Sequence, residues 1–140
     1  MIQPAPTSAI SPGVARGILV SHTGGIVTVS FPNTSYEIHL NVEGVVTTDP
    51  GKRITGKIRL SARRIDISRS GGKYLEPVVG RLTRVQGKVV AVEADAVVVD
   101  AAVPVHLIPT ERGQKPSDFQ VGDFVTCNVK SGGTFTPTAG

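Results

Sequence analysis

The sequence predicts an all-β protein, and three observations carry that prediction. Val, Ile and Thr supply 44 of the 140 residues, whereas Leu, Ala, Met and Glu together supply 22. Side chains branched at Cβ lose rotamer freedom in a helix and fit the pleated surface of a strand. A further 16 glycines and 10 prolines punctuate the chain. Between them the apolar residues fall in short runs, many strictly alternating, rather than at helical spacing. With 39% hydrophobic and only 19% charged residues, full disorder is excluded.

The elements follow in order. Residues 1–13 carry Pro4, Pro6 and Pro12 and read as an extended or mobile arm. Residues 17–20 read as a strand, Gly24-Gly25 as a turn, and residues 26–31 as a second strand. Pro32-Asn33-Thr34 turns the chain into residues 36–40, where Tyr36, Ile38 and Leu40 share one face. Beyond Asp49-Pro50-Gly51 lies a long alternating run over residues 54–67, closed by Ser70-Gly71-Gly72. In the second half, residues 88–92, 97–100 and 103–108 read as strands, with a tight turn over residues 93–96. Residues 88–103 lack Gly and Pro and rival this as a helix, but their valines favour a hairpin. A polar loop over residues 109–120 holds a short helical turn near Ser117. Residues 123–130 form the last strong strand, and residues 134–136 add a short one.

The two halves match each other. Residues 51–59 align without a gap on residues 122–130: Gly, two residues, Ile or Val, Thr, two residues, Ile or Val, then a base. Upstream, Glu37-Ile38-His39-Leu40 matches Pro104-Val105-His106-Leu107. This pattern predicts a duplication, with one unit over residues 14–79 and a second over residues 80–140. The run Phe119-Gln120-Val121-Gly122-Asp123-Phe124-Val125 resembles the x-V-G-D-x-V approach to a barrel strand in many OB-fold domains and related small barrels. That resemblance implies two similar OB-like barrels in tandem, packed together. A single β-sandwich is the alternative architecture, and neither names a function.

The formal net charge is +4, but it is unevenly placed. Residues 52–88 hold eleven bases against Asp66 and Glu76, a net +9, while the flanking segments carry −2 and −3. Within the long run, Ile54, Ile58 and Leu60 share one face, and Arg53, Lys57, Arg59 and Arg63 share the other. Same-face neighbours sit roughly 6.6 Å apart, a spacing suited to repeated anionic groups. The parity then slips, because Ile65 and Ile67 are apolar at positions that were basic. A β-bulge near residues 62–64 is expected there. Arg64, Arg69 and Lys73 extend the basic series. The expectation is a polyanion-binding surface, nucleic acid foremost, with an acidic protein surface or a neighbouring copy of this chain as alternatives. An edge strand kept soluble by its charges is the plainer reading. Tyr74 is the only aromatic residue in the basic window, so binding would rest on phosphates, with weak sequence preference and strong salt dependence.

Little else points to chemistry. Arg59-Leu60-Ser61-Ala62-Arg63 fits R-x-x-x-R, and Asp66-Ile67-Ser68-Arg69-Ser70-Gly71 fits D-x-S-x-x-G. Together they resemble the cyclic-dinucleotide motifs of PilZ domains, which implies arginines on phosphate and guanine. Here only two residues separate the motifs, whereas PilZ domains keep them on separate elements. His39 and His106 occupy matching positions opposite the apolar faces, but no third ligand stands at metal-binding spacing. Cys127, the single cysteine, alternates with Val125 and Val129 and is expected in the core as an inert thiol. One cysteine forms no intrachain disulfide and suits a reducing cytoplasm, the compartment expected. The N-terminus has no secretory pattern, and no run approaches the roughly 20 apolar residues of a membrane span, so no membrane role is expected. The sequence thus predicts a non-catalytic binding or assembly module without cofactor or metal. A purely structural, self-associating β module is the alternative.

Overall fold

The computed structural model describes residues 13–69 and 71–138. Of the expected N-terminal arm only Gly13 is described; the rest of that arm and Ser70 lie outside the described residues. The described residues form eleven strands: β1 (Ala15–Thr23), β2 (Ile26–Ser30), β3 (Glu37–Val42), β4 (Arg53–Ile67), β5 (Tyr74–Glu76), β6 (Val79–Gly80), β7 (Arg84–Val92), β8 (Val97–Asp100), β9 (Pro104–Pro109), β10 (Phe124–Val129) and β11 (Thr134–Pro137). A single 3₁₀ turn, Pro116–Asp118, is the only helical element among the described residues. The fold is all-β, and its strands belong to one continuous sheet.

Turn chemistry sets the hairpins. Gly24 and Gly25 both take positive φ between Thr23 and Ile26, the two-residue geometry that matches strand twist. Residues 88–103 form the β7–β8 hairpin and the turn into β9, as the valines predicted. Asn33 takes the left-handed conformation between β2 and β3.

The strands pair in two closed circuits. The first runs β1–β2–β3–β11–β4 and back to β1. The second runs β7–β8–β9–β4–β10 and back to β7. In each circuit the third junction is parallel and the other four are antiparallel. The fifteen-residue β4 belongs to both. Its first half lies between β1 and β11, and its second half between β9 and β10. The last of these eleven strands, β11, returns to close the first circuit between β3 and β4.

Register details coincide between the circuits. β1 carries an extra residue between Leu19 and Ser21 against β2, and β7 carries one between Val89 and Ala91 against β8. Gly51 N–H donates to Leu19 O (2.7 Å) and Leu19 N–H to Lys52 O (2.9 Å). The counterpart bonds are Gly122 N–H to Val89 O (2.9 Å) and Val89 N–H to Asp123 O (2.8 Å). Gly51 and Gly122 both have positive φ, two residues before β4 and β10 begin. A Cβ on Gly17 would strike Ser30 O, and one on Gly87 would strike Asp100 O, so each circuit needs a glycine at this crossing.

The interior is aliphatic. Leu19, Val29, Ile38 and Ile58 from the first circuit and Val89, Val99, Leu107 and Val125 from the second belong to one connected core. Phe135 of β11 is fully buried in it. Cys127 is 3% exposed, facing inward as its alternation requires. β4 alternates cleanly from Ile54 to Ala62 and then breaks step. Cys127 pairs with Ile65 and Val129 with Ala62, so β4 holds one residue more than β10 across Arg63 and Arg64. The bulge therefore sits where the parity slip predicted it. Ile65 turns inward after it, but Ile67, grouped with Ile65 by parity, is exposed because it is the last residue of the strand.

Candidate functional site

The seven basic residues singled out from the sequence do not share one environment. Arg53, Lys57 and Arg59 lie along the outer face of β4, alternating with buried Ile54, Ile58 and Leu60. Arg53 is exposed, while Lys57 and Arg59 are half-buried. Arg63 and Arg64 are both exposed because the bulge turns two successive side chains outward. Arg69 follows β4 and is exposed. Lys73 is carried away to the second circuit, where its Nζ sits 2.8 Å from Asp100 Oδ2.

Acids hold three of the seven. Arg59 Nη1 lies 3.5 Å from Asp95 Oδ2, Arg64 Nε donates to Asp66 Oδ1 at 3.0 Å, and Lys73 meets Asp100. Exposed pairs of this kind are worth about 0–1 kcal/mol each, so a competing phosphate displaces the acid at small cost. The Nε of Arg59 is buried without a hydrogen-bond partner. Arg53, Lys57, Arg63 and Arg69 have no acid within 4.0 Å among the described residues.

Pairing adds a residue that the charge count had put in an acidic segment. Arg16 of β1 is opposite Thr55, and Ile18 is opposite Arg53, so Arg16 and Arg53 are diagonal neighbours on the outer face. Such positions stand about 7–8 Å apart, close enough for two long side chains to converge. Both arginines line a cleft of about 480 Å³ between the strands and the loop that joins β3 to β4. That loop contributes Val45, Thr47 and Thr48 to the wall. Neither threonine hydroxyl makes a hydrogen bond among the described residues. Thr55 Oγ1, by contrast, donates to Thr138 O at 3.1 Å.

On the second circuit the outer face is closed by its own side chains. Arg84 donates to Tyr74 Oη (3.2 Å), Asn128 Oδ1 (3.1 Å) and Thr126 Oγ1 (3.0 Å). The Tyr74 bond raises the Arg84 pKa further above its ordinary value. Tyr74 Oη donates onward to Gln86 Oε1 at 3.3 Å, and Gln86 Nε2 donates to Gly72 O at 2.9 Å. Arg84 is thereby engaged by side chains of its own sheet, although the sequence placed it in the same basic window.

The motif resembling PilZ domains is spread differently from a ligand cradle. Asp66 is taken by Arg64 and Arg59 by Asp95. The matching histidines also diverge. His106 lies outside the strand circuit as alternation requires, yet it is fully buried. Gly13 packs on it: Gly13 O is 3.0 Å from Nε2, and since a carbonyl oxygen only accepts, Nε2 is the donor. Glu93 Oε1 stands 3.4 Å from Nδ1. His39 is half-buried and His22 exposed. Among the described residues no three His, Cys, Asp or Glu side chains gather as metal ligands, and no helix is long and apolar enough to cross a membrane.

Compared with protein-family models, curated proteins and solved structures, the chain matches none.

Proposed function

We propose that the protein is a non-catalytic binding module that holds a polyanion, nucleic acid foremost, along the outer face of β4. The observation carrying this reading is a line of cations with no acid partner on one continuous strand: Arg53, Lys57 and Arg63, joined by Arg16 from β1. Their spacing is fixed by the sheet, so little side-chain rearrangement opposes binding. Arg59 and Arg64 add to the line once a phosphate displaces Asp95 and Asp66. Arg69 extends it beyond the strand, and Lys73 stands apart from it on Asp100.

We further propose that this face is built by duplication. Two OB-like barrels, over residues 14–79 and 80–140, have exchanged their fifth strands. The second half of β4 serves the second barrel, and β11 serves the first. The shared direction pattern, the paired bulges and the matched Gly51 and Gly122 bonds support this reading. The fused β4 makes the basic line twice as long as one small barrel would allow.

Titration of labelled single-stranded DNA and RNA at several salt concentrations tests the binding. Affinity should fall steeply with salt, and a Lys57→Glu/Arg63→Glu variant should lose most of it. Each phosphate contact removed lowers the log–log slope by about 0.7. A Lys115→Glu control, on the polar loop before the 3₁₀ turn, should bind as the unchanged protein does. No complex at low salt refutes the proposal.

A further inference from the structure

We infer that the cleft between Arg16 and Arg53 is a mononucleotide site that takes a phosphomonoester, the terminal phosphate of a nucleic-acid strand or of a free nucleotide. The inference rests on the polyanion reading above and gives it an end point, since Arg53 is the first residue of β4.

Three observations converge. Two like charges stand at diagonal positions with no acid between them, an arrangement that is repulsive until an anion enters. A monoester carries more charge and more free oxygens than a diester, so it accepts bidentate pairs from both guanidinium groups at once. Thr47 and Thr48, whose hydroxyls are unengaged among the described residues, line the same cleft. Its remaining walls include Ile18, Pro32, Val45 and Pro137, apolar surface of the kind that receives a base or sugar. A volume of about 480 Å³ falls within the roughly 300–1,000 Å³ usual for small-ligand sites.

The second circuit provides an internal comparison. By register, Arg16, Ser30 and Arg53 correspond to Gln86, Asp100 and Phe124. There the chain covers its own surface. Gly72 O accepts from Gln86, Lys73 pairs with Asp100, and Tyr74 pairs with Gln86 in the sheet. Gln86 is consequently 7% exposed, whereas Arg16 is open to solvent. The first circuit has a cleft in place of that cover, with two arginines in place of glutamine and phenylalanine.

The full-length protein is titrated calorimetrically with a nucleoside 5′-monophosphate, the matching nucleoside, inorganic phosphate and a short poly-glutamate. Oligonucleotides with and without a terminal phosphate, placed in turn at the 5′ and 3′ ends, form a second series. The nucleotide should bind at least about tenfold tighter than the nucleoside or inorganic phosphate, and Arg16→Ala and Arg53→Ala should each remove about tenfold. Arg53→Lys, which keeps the charge but loses the fork, should lose affinity partially. Circular dichroism of each variant checks that the fold persists. Equal binding of nucleotide and inorganic phosphate overturns the assignment, as does tighter binding of poly-glutamate. If oligonucleotides bind through Lys57 and Arg63 but ignore the terminal phosphate, the cleft fails and the strand face stands. If the mononucleotide binds while longer strands gain nothing, the strand face fails and the cleft stands.

Discussion

At the scale of single residues, Cys127 makes the clearest prediction. Burial pushes its thiol up to about 12 from an ordinary 9.0, against a smaller opposing pull from Arg84. Above pH 9 the unfolded chain releases this proton while the folded chain keeps it. Stability from this group is therefore intact below pH 9 and lost progressively as pH rises from 9 toward 12. Urea unfolding at pH 8 and pH 10.5 should show the loss, and Cys127→Val should remove that part of the slope. A thiol reagent should label the native protein only as fast as it opens. The inward facing of Cys127 was legible from its alternation with Val125 and Val129. The place of Arg16 was not. It sits in a segment of net negative charge, and only the β1–β4 register brings it beside Arg53. His106 was half legible: alternation put it outside the circuit, but its burial and its bond to Gly13, remote in sequence, were not readable from spacing.

At the scale of elements, the strands most firmly marked in the sequence are those whose own residues carry the periodicity. β4 is the best case, since its alternation, its basic face and its bulge all follow from parity. β5 and β6 escaped notice because partners remote in sequence define them. Leu75 N–H donates to Tyr36 Oη at 3.0 Å, and Glu37 N–H donates to Val78 O at 2.9 Å. Nothing within residues 74–80 announces either contact. β11 is short, and Phe135 anchors it. A Cβ on Gly56 would strike the Phe135 ring, so the glycine leaves room for it. Phe135→Ala should destabilise the protein by about 3–5 kcal/mol in urea unfolding. It should also make residues 130–138 the first site of limited proteolysis, because β11 then has little to hold it between β3 and β4.

At the scale of the whole molecule, the first circuit takes a strand from beyond residue 80 and the second takes one from before it. Residues 14–79 and 80–140 expressed separately should each remain unfolded or aggregate, because each lacks the strand lent by the other. Co-expressed, they should copurify as a one-to-one complex with the circular dichroism of the intact chain. A monomeric, folded fragment from either half would contradict the exchange. Most strands of both circuits were legible in the sequence, but the closure of the circuits was not, since composition and spacing record which strands exist rather than which circuit each one closes. The same arrangement bears on how the chain emerges from a ribosome. β3 and β4 are made early, yet the seam between them waits for residues 134–137. Domain-by-domain folding of residues 14–79 during synthesis is barred to this chain, and two strand edges stay unpaired until residues 134–137 have emerged. Its folding yield in a cell should depend on whatever shields those edges in the meantime.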